Sequence, residues 1–274
     1  MTLPSRPVGE LLRTWRQRRS LSQLDLACRA DVSARHVSFL ETGRSKPSRE
    51  MLLHLAEELD IPLRERNSLL VAAGFAPAYS EESLDAPALR AAREAVDLVL
   101  TGHEPYPALA VDRHWTLIAA NRAIGMLLAE VSPELLRPPV NVLRLSLHPE
   151  GLGGNIVNLE QWRAHVLSRL QRQIDVSADE TLAALHEELR GDAAHGGAPP
   201  TGGPSRERDF AGVVVPMRLR TRYGVLSFFS TTTVFGTPLD ITLSELAIES
   251  FFPADRPTAE LLRRIAESGA GTDA

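Results

Sequence analysis

The sequence predicts an α+β protein in two parts: an all-α, five-helix head enclosing a helix-turn-helix, and a larger α+β domain with an antiparallel sheet. Three observations carry this reading. Between Val8 and Gly74, short apolar stripes at helical spacing follow one another with capping residues between them. Beyond residue 104, runs rich in Val, Ile, Thr and Phe stand on both sides of a helical block. Charge also divides the chain: residues 1–66 hold 12 Arg and Lys against 9 Asp and Glu, and residues 67–274 hold 18 against 26, for a net −5. A basic head on an acidic body suits a segment that touches nucleic acid joined to one that does not.

The bulk composition, 43% hydrophobic and 24% charged over 274 residues, is that of a soluble globular protein with room for two cores. No apolar run approaches the roughly 18 residues of a membrane span, so no membrane partner is expected. The lone Cys28 excludes an internal disulfide framework and fits a reducing cytoplasm. Because it falls in an apolar helical stretch, Cys28 is expected to be a buried packing residue.

In the head, Val8, Leu11, Leu12 and Trp15 form the stripe of a first helix reaching Arg19. Ser22-Gln-Leu-Asp25 has the spacing of a capping box and opens a second, which ends near Ala30. Asp31 then occupies a turn, where an Asp tolerates left-handed backbone better than most residues. Ser33 caps a third helix, 34–42, that Gly43 ends, and Ser48 caps a fourth with Met51, Leu52, Leu55, Ala56 and Leu59 inward. A fifth runs from Leu63 to Ala73.

The second and third helices define a helix-turn-helix. Val37 and Leu40, three apart, should face the core, which turns Ala34, Arg35, Ser38 and Phe39 toward base edges. Arg35 suits guanine O6 and N7, and Ala34 or the Phe39 ring suits a thymine methyl. His36 lies at the edge of this face, near phosphate or base.

The segment LRTWRQRRSLSQLDLACRADVSARHVSFLETGRSKPS resembles the helix-turn-helix of the XRE family over about 60 residues, down to the Glu41-Thr-Gly-Arg44 ending. The resemblance implies double-stranded DNA as a partner. It implies phosphate contacts from Ser22 and Gln23 at a helix N-terminus, and from Arg44 and Lys46 after the recognition helix. It also implies that Arg16 pairs with Glu41 as a structural link. One departure is Asp31, where the family often has Gly.

After Phe75-Ala-Pro-Ala-Tyr-Ser80, a helix is expected over 86–101 with Leu89, Ala92, Val96 and Val99 as its stripe. It either connects the domains or pairs with a second subunit. Ala108–Asp112 and Trp115–Ala119 read as two strands about a turn, and Asn121 starts a helix to Val131, an opening that resembles a PAS domain. Helices follow over Gln161–Ile174 and Ala178–Arg190, the latter capped by Ser177. Residues 191–205, with five Gly and three Pro, read as a disordered loop. Strands are then expected over Gly212–Arg220, Gly224–Thr233 and Leu243–Phe251. The division is 1–74 for the head, 75–103 for linker and connecting helix, and 104–274 for the PAS-like domain.

The words YPALAVDRHWTLIAANRA, NVLRLSLHPEGL and LSFFSTTTVFGTPLDITLSELAIESFFPAD resemble the ligand-binding domain of MmyB-like regulators, which join an XRE-type head to a PAS-like domain. That resemblance implies a transcription regulator, a homodimer, whose PAS-like core takes a small apolar, fatty-acyl ligand; a bound fatty acid is the one small molecule expected, with no other cofactor and no metal. For such a pocket the apolar candidates are Trp115, Leu117, Leu143, Leu145, Leu226, Phe228 and Phe235, with Asn121 or His148 as polar handle. Each also reads as core, Asn121 as a helix cap and His148 as a loop anchor. The alternative functions are a PAS-like dimerisation or protein-interaction module without ligand, or an enzyme domain fused to a DNA-binding head. Catalysis finds no motif: the eight His are scattered, HExxH and Gly-x-Ser-x-Gly are absent, and Gly151-Leu-Gly-Gly154 follows no clear strand.

Overall fold

A computed structural model describes residues 6–191, 215–236, 238 and 240–269. The chain divides into two compact units: residues 1–83 with the short pieces 175–178 and 237–244, and the remainder.

The first unit contains α1 (Val8–Arg18), α2 (Gln23–Arg29), α3 (Ala34–Glu41), α4 (Arg49–Glu58) and α5 (Leu63–Ala72). Their apolar stripes meet in one core in which Leu12, Trp15, Leu26, Val37, Leu40, Leu55 and Leu70 are buried. Local chemistry starts each of the middle helices. Ser22 Oγ accepts from Asp25 N at 3.1 Å while Ser22 N donates to the Asp25 carboxylate at 2.8 Å, a reciprocal box that satisfies two otherwise orphaned donors. Ser33 and Ser48 each accept from the N–H three residues on. Asp31 adopts φ 51°, so the turn reaches the left-handed region without glycine. Cys28 departs from expectation and is exposed. Leu26, Ala27 and Ala30 take the inner face of α2, and Cys28 sits about 200° around the helix from Leu26.

The second unit is built on a five-stranded antiparallel sheet: β1 (Ala108–Val111), β2 (Leu117–Ala120), β3 (Met217–Thr221), β4 (Gly224–Val234) and β5 (Ala247–Pro253), in the order β2-β1-β5-β4-β3. Two strands precede the helical block and three follow it in one sheet, as the alternation of apolar runs predicts. All four residues of β1 are buried because both sheet faces are covered. Leu109 and Val111 face a core shared with α7 (Arg122–Leu127), α8 (Val142–Leu147), α9 (Leu159–Ser177) and α10 (Glu180–Gly191). Ala108 and Ala110 face a smaller core closed by Val96 and Leu100 of α6 (Arg90–Gly102).

Several boundaries differ from expectation, each for a local reason. The inner face of α6 is Val96 and Leu100, with Leu89 buried in the preceding 3-10 turn; Val99 is exposed. The cap of α10 is Asp179, whose Oδ1 accepts from Thr181 N and Leu182 N, whereas Ser177 still belongs to α9 and Ala178 breaks the chain at φ 63°. α7 stops at Leu127, short of Val131. The last strand begins at Ala247, since Ile241–Ser244 forms a single helical turn, α11. A terminal helix, α12 (Arg256–Gly269), sends Leu262 into the core and has no counterpart in the sequence reading. Most of the Gly/Pro loop and the first residues of the Gly212–Arg220 run lie outside the described residues.

Candidate functional site

The surface of α3 assembles a cationic and aromatic cluster. Val37 and Leu40 are buried, so the helix is held by that stripe and turns Arg35 outward. The Arg35 guanidinium lies over the Phe39 ring, 5.1 Å from its centre, and Arg44 approaches the same ring at 5.9 Å. Arg44 is brought back by the turn after α3, in which Arg44 N and Ser45 N both donate to Phe39 O and Gly43 takes φ 71°. Arg35, Arg44 and Lys46 are exposed; Ala34, His36, Ser38 and Phe39 are half-buried, and Ala34 packs in part against the head core.

At the start of α2, Ser22 spends its hydroxyl on its own helix cap. Gln23 donates Nε2 to Glu41 at 2.8 Å, so its amide ties α2 to α3. Arg16 completes this junction with a bidentate bond to Glu41 and a third bond from Nη1 to Leu21 O at 2.7 Å. Burial raises the Glu41 carboxyl, but hydrogen bonds from Arg16 and Gln23 and the charges of Arg16 and Arg13 outweigh it and hold it below the usual carboxylate range.

The second unit holds a cavity of about 80 Å³ between the sheet and its helical cover. Leu109 and Phe251 of the sheet, Leu143 and Leu145 of α8 and Trp162 and Val166 of α9 are among its apolar walls; Ser146, His165, Arg169 and Glu249 are the polar lining residues. Trp115 reaches it from a tight turn. Asp112 Oδ1 accepts from His114 N and Thr116 N, and Trp115 itself takes φ 66°, a region that costs a non-glycine residue about 1–3 kcal/mol. The turn aims the indole under the Arg169 guanidinium at 4.6 Å, while Trp115 Nε1 donates to Gln173 at 2.8 Å. Arg169 in turn holds Glu249 through Nη1 to Oε1 at 2.7 Å and Nη2 to Oε2 at 2.6 Å. Burial and the positive charges of Arg169 and Arg172, against Glu249, lower the His165 pKa and favour the neutral ring.

Of the pocket candidates, Trp115, Leu117, Leu143 and Leu145 line this cavity. Leu226 and Phe228 are fully buried in the surrounding core, and Phe235 packs on the opposite sheet face. Asn121 lies away from the cavity and does not cap α7 with its side chain. Its Oδ1 accepts from Ala108 N, and its Nδ2 donates to Leu100 O and Tyr106 O, tying α6 and the loop before β1 to the sheet. His148 anchors its loop by accepting from Glu150 N. Arg169, Glu249 and His165 are the polar groups that sequence reading did not single out. The available signals were an Arg continuing the Trp162–Val166 stripe, and a Glu inside the apolar run of β5.

Gly151-Leu-Gly-Gly154 also has a packing role. A Cβ on Gly151 would lie 2.2 Å from Leu145 O, and one on Gly153 2.5 Å from Leu147 O. These glycines let the chain press against the end of α8, which forms one cavity wall.

No described helix is long and apolar enough to cross a membrane. No curated protein matches the chain. Several solved structures share similarity with it, two of which follow. One is the clp gene regulator ClgR from Corynebacterium glutamicum, 27% identical over 38% of this chain and 97% of its own, with a TM-score of 0.23. The other is an RNA-binding light-oxygen-voltage receptor, 13% identical over 95% of this chain and 64% of its own, at 0.27. Superpositions this loose say nothing more about the fold. The family models are specific: a helix-turn-helix matches residues 12–66, and an MmyB-like transcription regulator ligand binding domain matches residues 92–265. The second match alone spans more than half of the chain, which therefore belongs to the MmyB-like transcription regulators, DNA-binding proteins that join a helix-turn-helix to a ligand-binding domain.

Proposed function

We propose that this regulator is a homodimer whose PAS-like domain takes a small apolar, fatty-acyl-like effector, and that the effector sets its affinity for a two-fold operator. The observation that carries the reading is the cavity inside the ligand-binding domain, whose lining is apolar apart from four residues. Its 80 Å³ is about half the volume of an engineered cavity that admits benzene, so an acyl chain enters only as side chains give way. The short helices α7 and α8 contribute Ile124, Leu127, Leu143 and Leu145 to the walls and are the elements that yield. A ligand that binds the yielded arrangement better than the closed one shifts the population between them, and that difference is what couples it to DNA.

On DNA, Arg35 reads guanine from the outer face of α3, a bidentate pair giving about 1–3 kcal/mol of discrimination. Phe39, Ala34 and Ser38 complete the base-reading face. Ser22, Gln23, His36, Arg44 and Lys46 hold phosphates, with Gln23 using what its bond to Glu41 leaves over. Support comes from the exposed Arg35 and Arg44 guanidiniums, both held against the Phe39 ring. Half-sites in a dimer operator are spaced by about 34 Å, one helical turn.

The test is operator affinity of the purified chain with and without saturating members of an acyl series, paired with native mass spectrometry. Uptake of an acyl compound with a change in operator affinity sustains the reading. No uptake across the series would leave a packed core that serves dimerisation alone.

A further inference from the structure

We infer that the effector of this cavity carries an uncharged hydrogen-bond acceptor as its polar head, such as an ester, amide or ketone, in preference to an ionised carboxylate. The inference rests on the proposal that the cavity binds an acyl-type ligand, and concerns which acyl derivative it selects.

Its starting point is the position of Glu249. This residue lies within β5, between β1 and β4, opposite Leu109 on one side and Thr232 on the other, and it is 4% exposed. A carboxylate in that place needs a counter-charge, because an unpaired buried ion is far too costly. Arg169 supplies it with two parallel bonds, and Thr232 Oγ1 donates to Glu249 Oε2 at 3.2 Å while accepting from Arg169 Nη2. The other side of the guanidinium is covered by the Trp115 ring. Arg169 and Glu249 are the two charged residues among the lining groups, so the polar end of the cavity is neutral before any ligand arrives. The remaining titratable lining group, His165, is held toward its neutral form by burial and by Arg169 and Arg172.

A ligand carboxylate meets two obstacles here. Beside the pair, it meets an Arg169 already neutralised by Glu249, so its own burial is not offset by a net counter-charge. Displacing Glu249 from the fork instead leaves that carboxylate buried without its counter-charge, with only the Thr232 hydroxyl as donor. An uncharged acceptor meets neither, and donors await it. The His165 ring offers an N–H in the tautomer that carries it, and the indole N–H of Trp162 is buried with no acceptor. The site thus has a surplus of donors and no surplus of positive charge, the pattern that selects a neutral acceptor.

Decanoate and its methyl ester present the same chain with the two heads, and their binding to the full chain at pH 7.5 is read by tryptophan fluorescence, since Trp115 and Trp162 line the cavity. The ester should bind at least tenfold more tightly than the acid. In Glu249→Gln the acid should gain tenfold or more relative to the ester, because removing the competing carboxylate releases Arg169 as an anion partner. Should that variant fail to fold, the wild-type protein serves. Acid affinity should rise toward that of the ester as pH falls through the ligand's own carboxylate range, with the ester correcting for pH effects on the protein itself. Equal or tighter binding of the acid at pH 7.5, or an unchanged preference in Glu249→Gln, overturns the inference and leaves the acyl-ligand reading standing. Binding of neither compound overturns that reading, and the inference with it.

Discussion

Arg16 and Glu41, 25 residues apart, are joined by two parallel hydrogen bonds of 2.6 and 2.8 Å in the interior of the head. The link fastens the end of α1 to the end of the recognition helix, and Gln23 extends it to the start of α2. The same residues that set the angle of α3 therefore set the start of the helix before it. Breaking a buried pair leaves an uncompensated charge, so Arg16→Ala should destabilise the head by about 3–5 kcal/mol. Calorimetry on the full chain would read this as a fall in the head transition with the second transition unmoved; equal movement of both would contradict it.

The same pair gives the head an acid dependence. Glu41 has a folded pKa below its ordinary value, so its contribution is present above about pH 4.3 and is lost as pH falls through the folded value. The head transition should hold steady above about pH 5 and drop in acid. Glu41→Gln lowers stability at neutral pH and removes part of the acid drop; an unchanged acid limb would show that Glu41 does not carry it.

Gly9 lies in α1, where alanine would ordinarily favour the helix by about 1 kcal/mol. Here the sign should reverse. A Cβ at this position would lie 2.5 Å from Leu40 O and 2.6 Å from Glu41 O, backbone atoms at the end of the recognition helix. Gly9→Ala should lower both stability and operator affinity, measured by unfolding and by fluorescence anisotropy on DNA. Increased stability would mean that α1 and α3 separate without cost.

Arg35 and Lys46 are both exposed and cationic, but they occupy different places. Arg35→Ala should weaken binding by about 1–3 kcal/mol and relax preference at one base pair, whereas Lys46→Ala should weaken all sequences alike and reduce the salt slope by about 1. Salt titrations on specific and scrambled duplexes separate the two. Equal effects from both substitutions would contradict the assigned face.

Leu145 is 5% exposed and lines the cavity from α8. Leu145→Ala should cost about 2–5 kcal/mol and enlarge the space. If the cavity is the effector site, this variant should recover more stability than the wild type from a saturating apolar ligand in a thermal melt. Equal ligand-induced shifts would place the ligand elsewhere.

The head was legible in the sequence because its signals are local. Ser22, Ser33 and Ser48 each cap the helix they precede, Val37 and Leu40 point inward at helical spacing, and Asp31 sits where the backbone turns left-handed. The Arg16–Glu41 pair was reached through family resemblance, since no local rule joins residues that far apart. Cys28 was misplaced because apolar neighbours in sequence do not state which face of a short helix is covered. Val99 was misplaced for the same reason on α6.

By itself the sequence determined the α+β class, the five helices of the head, the recognition helix and its outward Arg35, and the sheet flanking a helical block. These follow from periodicities and caps that act within a few residues. Tertiary structure alone decided the charged lining of the cavity: Arg169 from α9 and Glu249 from β5 are 80 residues apart and meet only when the helix packs on the sheet. It also decided that Asn121 serves three backbone groups instead of capping its helix. A buried polar group must find partners wherever the fold supplies them, and that supply is a property of packing that no stretch of sequence contains.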